Sequence, residues 1–482
     1  MIDIRPAAYI IGWLTIAFGA TMFLPFVADV VMGAERQTVF ATSAIVTMVA
    51  GATLMLACAN AAGGPLRLQE SFILVCGIWV VFPAFGALPF MFGAPEASLA
   101  DAVFEAVSAI TTTGSTVFPR LQELPPGTLL WRGMLQWFGG LGIVVVAMVF
   151  LPTLGVGGMQ LFRSEAFDTL GKIMPKATEI ALSLTWIYVA LTLACAMGYL
   201  WTGMSGFDAL VHSMTTLATG GMANYDESFA AFGPAAHYVA VVFMISAALP
   251  FVRYVQLVNG MARPLLHDTQ IRAFFAVIAV FVVALTLWLS REKPGPFEPA
   301  FREVLFNVVS IITGTGYSSA DYNAWGPFAM AMFFVLGLIG GCSSSTACSV
   351  KIFRYQVLIS AIAAEVNRMH SPNRVFVIRY DGRPIDPATL NSVIAFFMFF
   401  FLTLGVLAVA LTLLGLDFVT AISGAATAVT NTGPGLGPEI GPAGNFAGLP
   451  DAAKWLLALG MLIGRLEVLS VLILVTPAFW RA

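Results

Sequence analysis

Charge is what this sequence has least of. Of its 482 residues, 10% are Asp, Glu, Lys or Arg and 59% are hydrophobic. A soluble domain carries roughly a quarter charged residues, so a chain this poor in charge cannot cover itself with a water-facing surface. Cysteine and histidine are scarce too, at five and four. The cysteines (Cys58, Cys76, Cys195, Cys342 and Cys348) sit mostly in apolar runs. Cys342 and Cys348 lack a set of metal-ligand partners, so neither a zinc site nor a disulfide framework is expected. His212, His237, His267 and His370 are scattered and are assigned no chemistry. A net charge of -3 offers nothing to nucleic acid. No nucleophile, base or metal cluster stands out in the apolar runs, so the chain is not read as an enzyme. No cleavable signal peptide is expected either, because the first apolar run, 9–32, is too long for a signal core.

Long apolar runs are what the sequence does have. A membrane helix takes about 20 mostly apolar residues. Ten segments meet that requirement, near 9–32, 38–62, 71–92, 129–154, 180–203, 235–259, 270–290, 325–367, 388–415 and 450–479. The eighth is too long for one span. Its middle, Gly337 to Ser349, is dense in glycine, serine and threonine, which predicts an interrupted helix.

Between alternate spans lie half-apolar stretches too short to cross a bilayer. They begin at Asp101, Asp208, Arg302 and Asp417, and each runs into a Thr-Gly pair: Thr113-Gly114, Thr219-Gly220, Thr315-Gly316 and Thr432-Gly433. The pairs recur about every hundred residues, an internal repeat of span, short helix, loop and span. The expected fold is an all-α polytopic membrane protein with about ten transmembrane helices. Four pseudo-fourfold repeats surround one central pore, preceded by a two-helix extension. The boundaries predicted are 1–66 for the extension and 67–160, 161–262, 263–384 and 385–482 for the repeats. Lysine and arginine gather on the side away from the loops, at Arg163, Lys172, Lys176, Arg253, Arg263, Arg272 and from Lys351 to Arg383. The positive-inside rule then places the loops outside, where an excess of acids concentrates cations.

A cation that leaves water needs its hydration shell replaced, and rings of backbone carbonyls do this in potassium filters. Carbonyls that line a path require unusual dihedrals, which glycine tolerates best. A preceding helix directs its negative end at the ion, and Asp101, Asp208, Glu303 and Asp417 are expected near the opposite ends. One Thr-Gly pair reads equally well as a helix cap, but four in the same setting do not. No Gly-Lys-Ser/Thr follows any loop, which argues against phosphate binding. The candidate potassium ligands are Thr112, Thr113 and Gly114; Ala218, Thr219 and Gly220; Gly314, Thr315 and Gly316; and Asn431, Thr432 and Gly433.

The loops TTTGST, LATGGM, ITGTGY and TNTGPGLGP carry a resemblance, with Leu130-WRGMLQWFGGLGI and Gly464-RLEVLSVLILVTPAFWR. Over essentially its whole length the chain resembles the membrane subunit of the bacterial Trk potassium uptake system, in the Trk/Ktr/HKT superfamily. That resemblance implies one pore per chain, a homodimer, a cytosolic nucleotide-binding regulatory subunit, and a place in the bacterial inner membrane with the loops facing the periplasm. In this superfamily serine at the first loop's glycine goes with sodium, so Gly114 implies potassium. The family also implies a gate beneath the filter. Here it comprises Gly340, Gly341, Ser343, Ser344, Ser345, Thr346 and Lys351, with Ser344, Ala347, Cys348 and Ser349 where small glycine-type residues are usual. Arg465 is the second gate candidate, as a charge that faces the pore. Pairing with Glu467 two residues on is disfavoured, because the two do not share a helical face. Coupled symport with a proton or sodium is the alternative, and Glu467 is the clear intramembrane carboxylate for it.

Overall fold

The computed structural model describes residues 3–34, 37–61, 66–149, 158–162 and 177–481. Three helices open the chain: α1 (Arg5–Met32), α2 (Thr38–Ala57) and α3 (Leu68–Phe92). A short α4 (Leu99–Ile110) leads to α5 (Pro126–Val149). The pattern returns as α6 (Ala177–Trp201), short α7 (Gly206–Leu217), then α8 (Pro234–Ala248) and α9 (Phe251–Val258). It returns again as α10 (Thr269–Glu292), α11 (Phe297–Thr313), α12 (Pro327–Leu338) and α13 (Ile352–His370). The last round is α14 (Pro387–Leu413), α15 (Phe418–Thr430), α16 (Asp451–Arg465) and α17 (Val468–Val475). A two-stranded hairpin at Arg379–Tyr380 and Arg383–Pro384 joins α13 to α14. Among the described residues, seven helices are long and apolar enough to cross a membrane, or eight if one bent pair counts as a single span.

Helix boundaries follow local chemistry. Ser98 and Ser205 cap α4 and α7 by accepting from the backbone of Asp101 and Asp208, and Asp417 caps α15 through Val419 and Thr420. Capping side chains satisfy amides that have no partner within the helix. The third short helix differs from expectation. It begins at Phe297, so Glu298 occupies its first turn and Glu303 lies deeper. The sixth predicted span, 235–259, is broken at Leu249-Pro250, where α8 and α9 meet at 91°. Proline has no amide to continue the ladder, and α9 starts directly after it. The eighth run is interrupted between Leu338 and Ile352, as the sequence implies. The tenth breaks at Leu466-Glu467, with Glu467 at a positive φ of 58°. Arg163, Lys172 and Lys176 and the end of the fourth run lie outside the described residues.

Polarity is arranged inside out. Trp201, Leu413 and Val31 stand on the outer faces of spans at 86%, 83% and 77% exposure, a surface suited to lipid. The four short helices are enclosed by their neighbours, with Glu105, Ser108, His212, Thr216, Asn307 and Ser310 all fully buried.

Candidate ion path beneath and through four loops

Each short helix ends in the same backbone gesture. A residue in the left-handed region follows the last turn: Thr112 (φ 53°), Thr219 (50°), Gly314 (73°) and Asn431 (53°). The next amide reaches back to the helix, from Thr113 to the Ser108 carbonyl, Gly220 to Thr215, Thr315 to Ser310 and Thr432 to Thr427, at 2.9 to 3.1 Å. A glycine at positive φ comes next: Gly114 (88°), Gly221 (73°), Gly316 (81°) and Gly433 (99°). This corrects the second loop by one residue. The counterparts of Thr112, Thr113 and Gly114 are Thr219, Gly220 and Gly221, while Ala218 is the right-handed helix cap. The sequence misleads here because loop two carries two glycines, and Thr219 takes the left-handed turn itself.

The same register emerges from packing between loops. A Cβ on Gly114 would collide with the Gly220 carbonyl, one on Gly221 with that of Thr315, and one on Gly316 with that of Thr432. On Gly433 it would lie 2.8 Å from the Thr113 carbonyl oxygen, so the fourth loop meets the first and the ring closes. Ser115 donates to the Gly433 carbonyl at 2.7 Å and Asn431 to Thr113 Oγ1 at 2.9 Å, which seals that junction. Loops one, three and four also share a hydroxyl pair: Thr111 with Thr113, Thr313 with Thr315, and Thr430 with Thr432, at 2.7 to 2.8 Å. Above the ring, Gly114, Gly221, Gly316 and Gly433 line one cavity with Asp226 and Arg132, with about 70 Å³ of room for water centres.

Loop two lacks the hydroxyl pair, since Ala218 and Gly220 occupy those positions. Gln136 of α5 takes over, donating to the Gly220 carbonyl at 2.6 Å and accepting from Met222 N at 3.1 Å. Four residues earlier on the same helix, Arg132 bonds Glu105 at 2.8 Å, both buried, and donates to the Ala223 carbonyl at 2.9 Å. Glu105 accepts from Thr116 and Val117 of loop one. Tyr317 braces the third loop against Thr215, Thr216 and the His212 carbonyl. None of these four residues emerges from a reading centred on Thr-Gly pairs. The available signal was an arginine and a glutamine one turn apart in an apolar span, where polar residues are costly and functional.

Below the ring the segment between α12 and α13 fills the interior. Gly340 N bonds the Val350 carbonyl at 2.9 Å, and a Cβ on Gly341 would sit 2.6 Å from that of Ala347. Ser343 N donates to Gln270 at 2.8 Å, Ser344 O accepts from Phe251 N at 2.9 Å, and Ser345 donates to the Cys342 carbonyl at 2.6 Å. Thr346 Oγ1 reaches the Ala247 carbonyl at 2.9 Å, and Lys351 Nζ bonds the Ala347 carbonyl. The break between α8 and α9 therefore supplies carbonyls and an amide to this segment. Ser349 N bonds the Thr430 carbonyl at 2.9 Å, which fastens the segment to the last short helix. Arg465 ends α16 in the same space. Its Nη1 lies 2.7 Å from Cys348 Sγ and 3.4 Å from the Thr346 carbonyl, while Nε and Nη2 have no partner among the described residues. Glu467 pairs instead with Arg354 at 2.5 Å. A cavity of about 40 Å³ is lined by these groups and Asn431.

A polytopic helical protein whose interior holds a closed ring of backbone turns, open to a polar cavity on either side, is a membrane transport protein for small ions. The sequence profile of TrkH, described as a cation transport protein, matches residues 36–481, and the chain belongs to that family. It is 46% identical over 97% of its length to the Trk system potassium uptake protein TrkI of Halomonas elongata, covering 95% of that protein. It is 36% identical to the Trk system potassium uptake protein TrkH of Vibrio parahaemolyticus, with 99% of each chain covered. The crystal structure of the potassium transporter TrkH from Vibrio parahaemolyticus superposes with a TM-score of 0.90 at 33% identity over the whole of both chains.

The Gln136 bridge has a measurable consequence. Gln136→Leu leaves the buried Gly220 carbonyl and Met222 amide unpaired, at about 1–3 kcal/mol for such a group. The variant is expected to unfold at a lower temperature in detergent and to discriminate less among cations. Unchanged reversal potentials would mean that loop two is held without it.

Proposed function

We propose that this chain takes up potassium across the bacterial cytoplasmic membrane through the ring, as a channel-like path of one pore per chain. The observation that carries this reading is the ring itself, in which every loop's glycine faces the next loop's carbonyl. Backbone at membrane depth is tolerable only where it lines a water-filled route. In this reading the loops are the selectivity filter, one from each of the repeats 67–160, 161–262, 263–384 and 385–482, and they face the periplasm. Residues 1–66 form the added pair of helices. Residues 340–351 and Arg465 then act as the gate, with a cytosolic nucleotide-binding subunit as its regulator and a homodimer as the assembly. The relatives named as potassium uptake proteins support the choice of ion. The Arg354–Glu467 pair favours passive conduction over proton coupling, because the carboxylate is already engaged.

Flux in proteoliposomes, with the membrane potential clamped and pH varied, tests this. Reversal at the potassium equilibrium potential at every pH is expected. A reversal potential that tracks the proton or sodium gradient would establish symport instead. The gate is tested separately by deleting Ser343 to Ser349, which removes the atoms that fill the space below Asn431. Flux through the folded deletion protein is expected to rise. Equal or lower flux would make the segment a structural plug.

A further inference from the structure

One side chain of the segment beneath the ring carries a chemistry that conduction does not use, the thiol of Cys348. Its Sγ lies 3.5 Å from Thr112 Oγ1 and 2.7 Å from Arg465 Nη1. It lines the lower cavity with Arg465, Lys351, Ser343 and Glu467. A cavity needs about 10–15 Å³ for one water, so one with about 40 Å³ also admits two linked oxygens. Arg465 is 4% exposed, and its Nε and Nη2 are donors without acceptors among the described residues. Of the described charges around this space, Arg465 and Lys351 are cationic, and the carboxylate, Glu467, is held by Arg354. The site therefore has buried donors and positive charge to spare beside a sulfur, with Nε and Nη2 of Arg465 making no hydrogen bond among the described residues.

We propose that Cys348 is a peroxide-sensing thiol, converted to a sulfenic acid whose oxygen is taken up by the free nitrogens of Arg465, and that this modification shuts the path. The sulfur attacks one oxygen of hydrogen peroxide. The S–O bond forms as the O–O bond breaks, and the thiol proton passes to the departing hydroxide to give water. Sulfur gives up two electrons and peroxide accepts them. The guanidinium offsets the negative charge that develops on the sulfur and the departing oxygen. Cys348 is 4% exposed but lines the lower cavity, whereas Cys76, Cys195 and Cys342 lie within apolar clusters. The new oxygen ties the segment carrying Cys348 to α16, and this closing effect rests on the reading of that segment as the gate.

The test uses the full-length protein in proteoliposomes, treated with hydrogen peroxide and then dimedone, with adducts located by peptide mass spectrometry and potassium flux recorded before and after. An adduct at Cys348 is expected, with flux lowered about tenfold, the shift one charge-assisted hydrogen bond sustains. A thiol reductant is expected to restore flux when dimedone is omitted. Cys348→Ala is expected to show no adduct at that position and no response to peroxide. Arg465→Gln should slow adduct formation about tenfold, while Arg465→Lys, which keeps the charge, slows it less. Labelling of the half-buried Cys58 without Cys348 in folded protein would overturn the proposal. An adduct at Cys348 with unaltered flux would keep the modification site and overturn the gate reading on which the closing effect depends.

Discussion

Gly114→Ser is expected to lower the preference for potassium over sodium by about tenfold, and Gly221→Ala by as much, whereas Gly220→Ala should do less. The cause is steric and local. Gly114 and Gly221 have φ of 88° and 73°, where an L side chain costs roughly 1–2 kcal/mol. A Cβ at either position also overlaps a carbonyl oxygen of the next loop, at Gly220 or Thr315. Backbone of a closed ring cannot retreat without moving its neighbours, so the carbonyl cage changes shape. Gly220 has an ordinary φ, and its Cβ would meet the end of the Gln136 side chain, not the backbone of the next loop. Reversal potentials in mixed potassium and sodium decide the matter. Gly220→Ala proving more harmful than Gly221→Ala would restore the register read from the Thr-Gly pairs alone.

Arg465→Ala is expected to raise cation flux tenfold or more with selectivity intact. Guanidinium stays protonated at any physiological pH, and this one is buried with two nitrogens unpaired. Two unit charges about 4 Å apart interact by ~4 kcal/mol at an effective dielectric of ~20, and water in the cavity reduces that. Its other contacts are the Thr346 carbonyl, Cys348 and the ring of Trp79, 5.8 Å away. None belongs to the carbonyl ring, so the choice of ion is untouched. Arg465→Gln keeps much of the side chain's volume and separates loss of charge from loss of packing. Both variants are expected to retain their thermal stability, because removing a buried charge that lacks a carboxylate partner relieves a desolvation cost. Folded protein with unchanged flux would reduce Arg465 to a structural clamp on the segment beneath the loops.

Much of this architecture is legible without coordinates. Hydropathy locates the spans, because lipid imposes one requirement along some 20 residues at a time. The repeat is visible because each loop needs a residue that tolerates positive φ, and glycine is the usual answer. The register of loop two is hidden for the same reason in reverse: Thr219 adopts the left-handed turn, so the glycines no longer mark where it falls. The partners of Glu105, Gln136, Tyr317 and Glu467 are invisible because they lie on other helices or loops. Arg354 and Glu467 are separated by more than a hundred residues and meet only through the tertiary fold. Proline at 250 was present to be read, yet its effect on the sixth span depends on Phe251 finding the Ser344 carbonyl as a replacement acceptor.

The closure of the ring within one polypeptide fixes a stoichiometry. All four quadrants come from a single translation product, so each molecule is either wholly altered or wholly normal. With one pore per chain, as proposed, wild-type and Gly114→Ser chains made together are expected to give two populations of conduits and none of mixed composition. Total current should be a weighted sum of the two, linear in the mutant fraction, even if the chains associate in pairs. A filter shared among four separate subunits would instead give a graded series of hybrids and a curved dose response. The same arithmetic lets the quadrants differ from one another: one loop is held by a glutamine from behind, and its three neighbours carry paired hydroxyls.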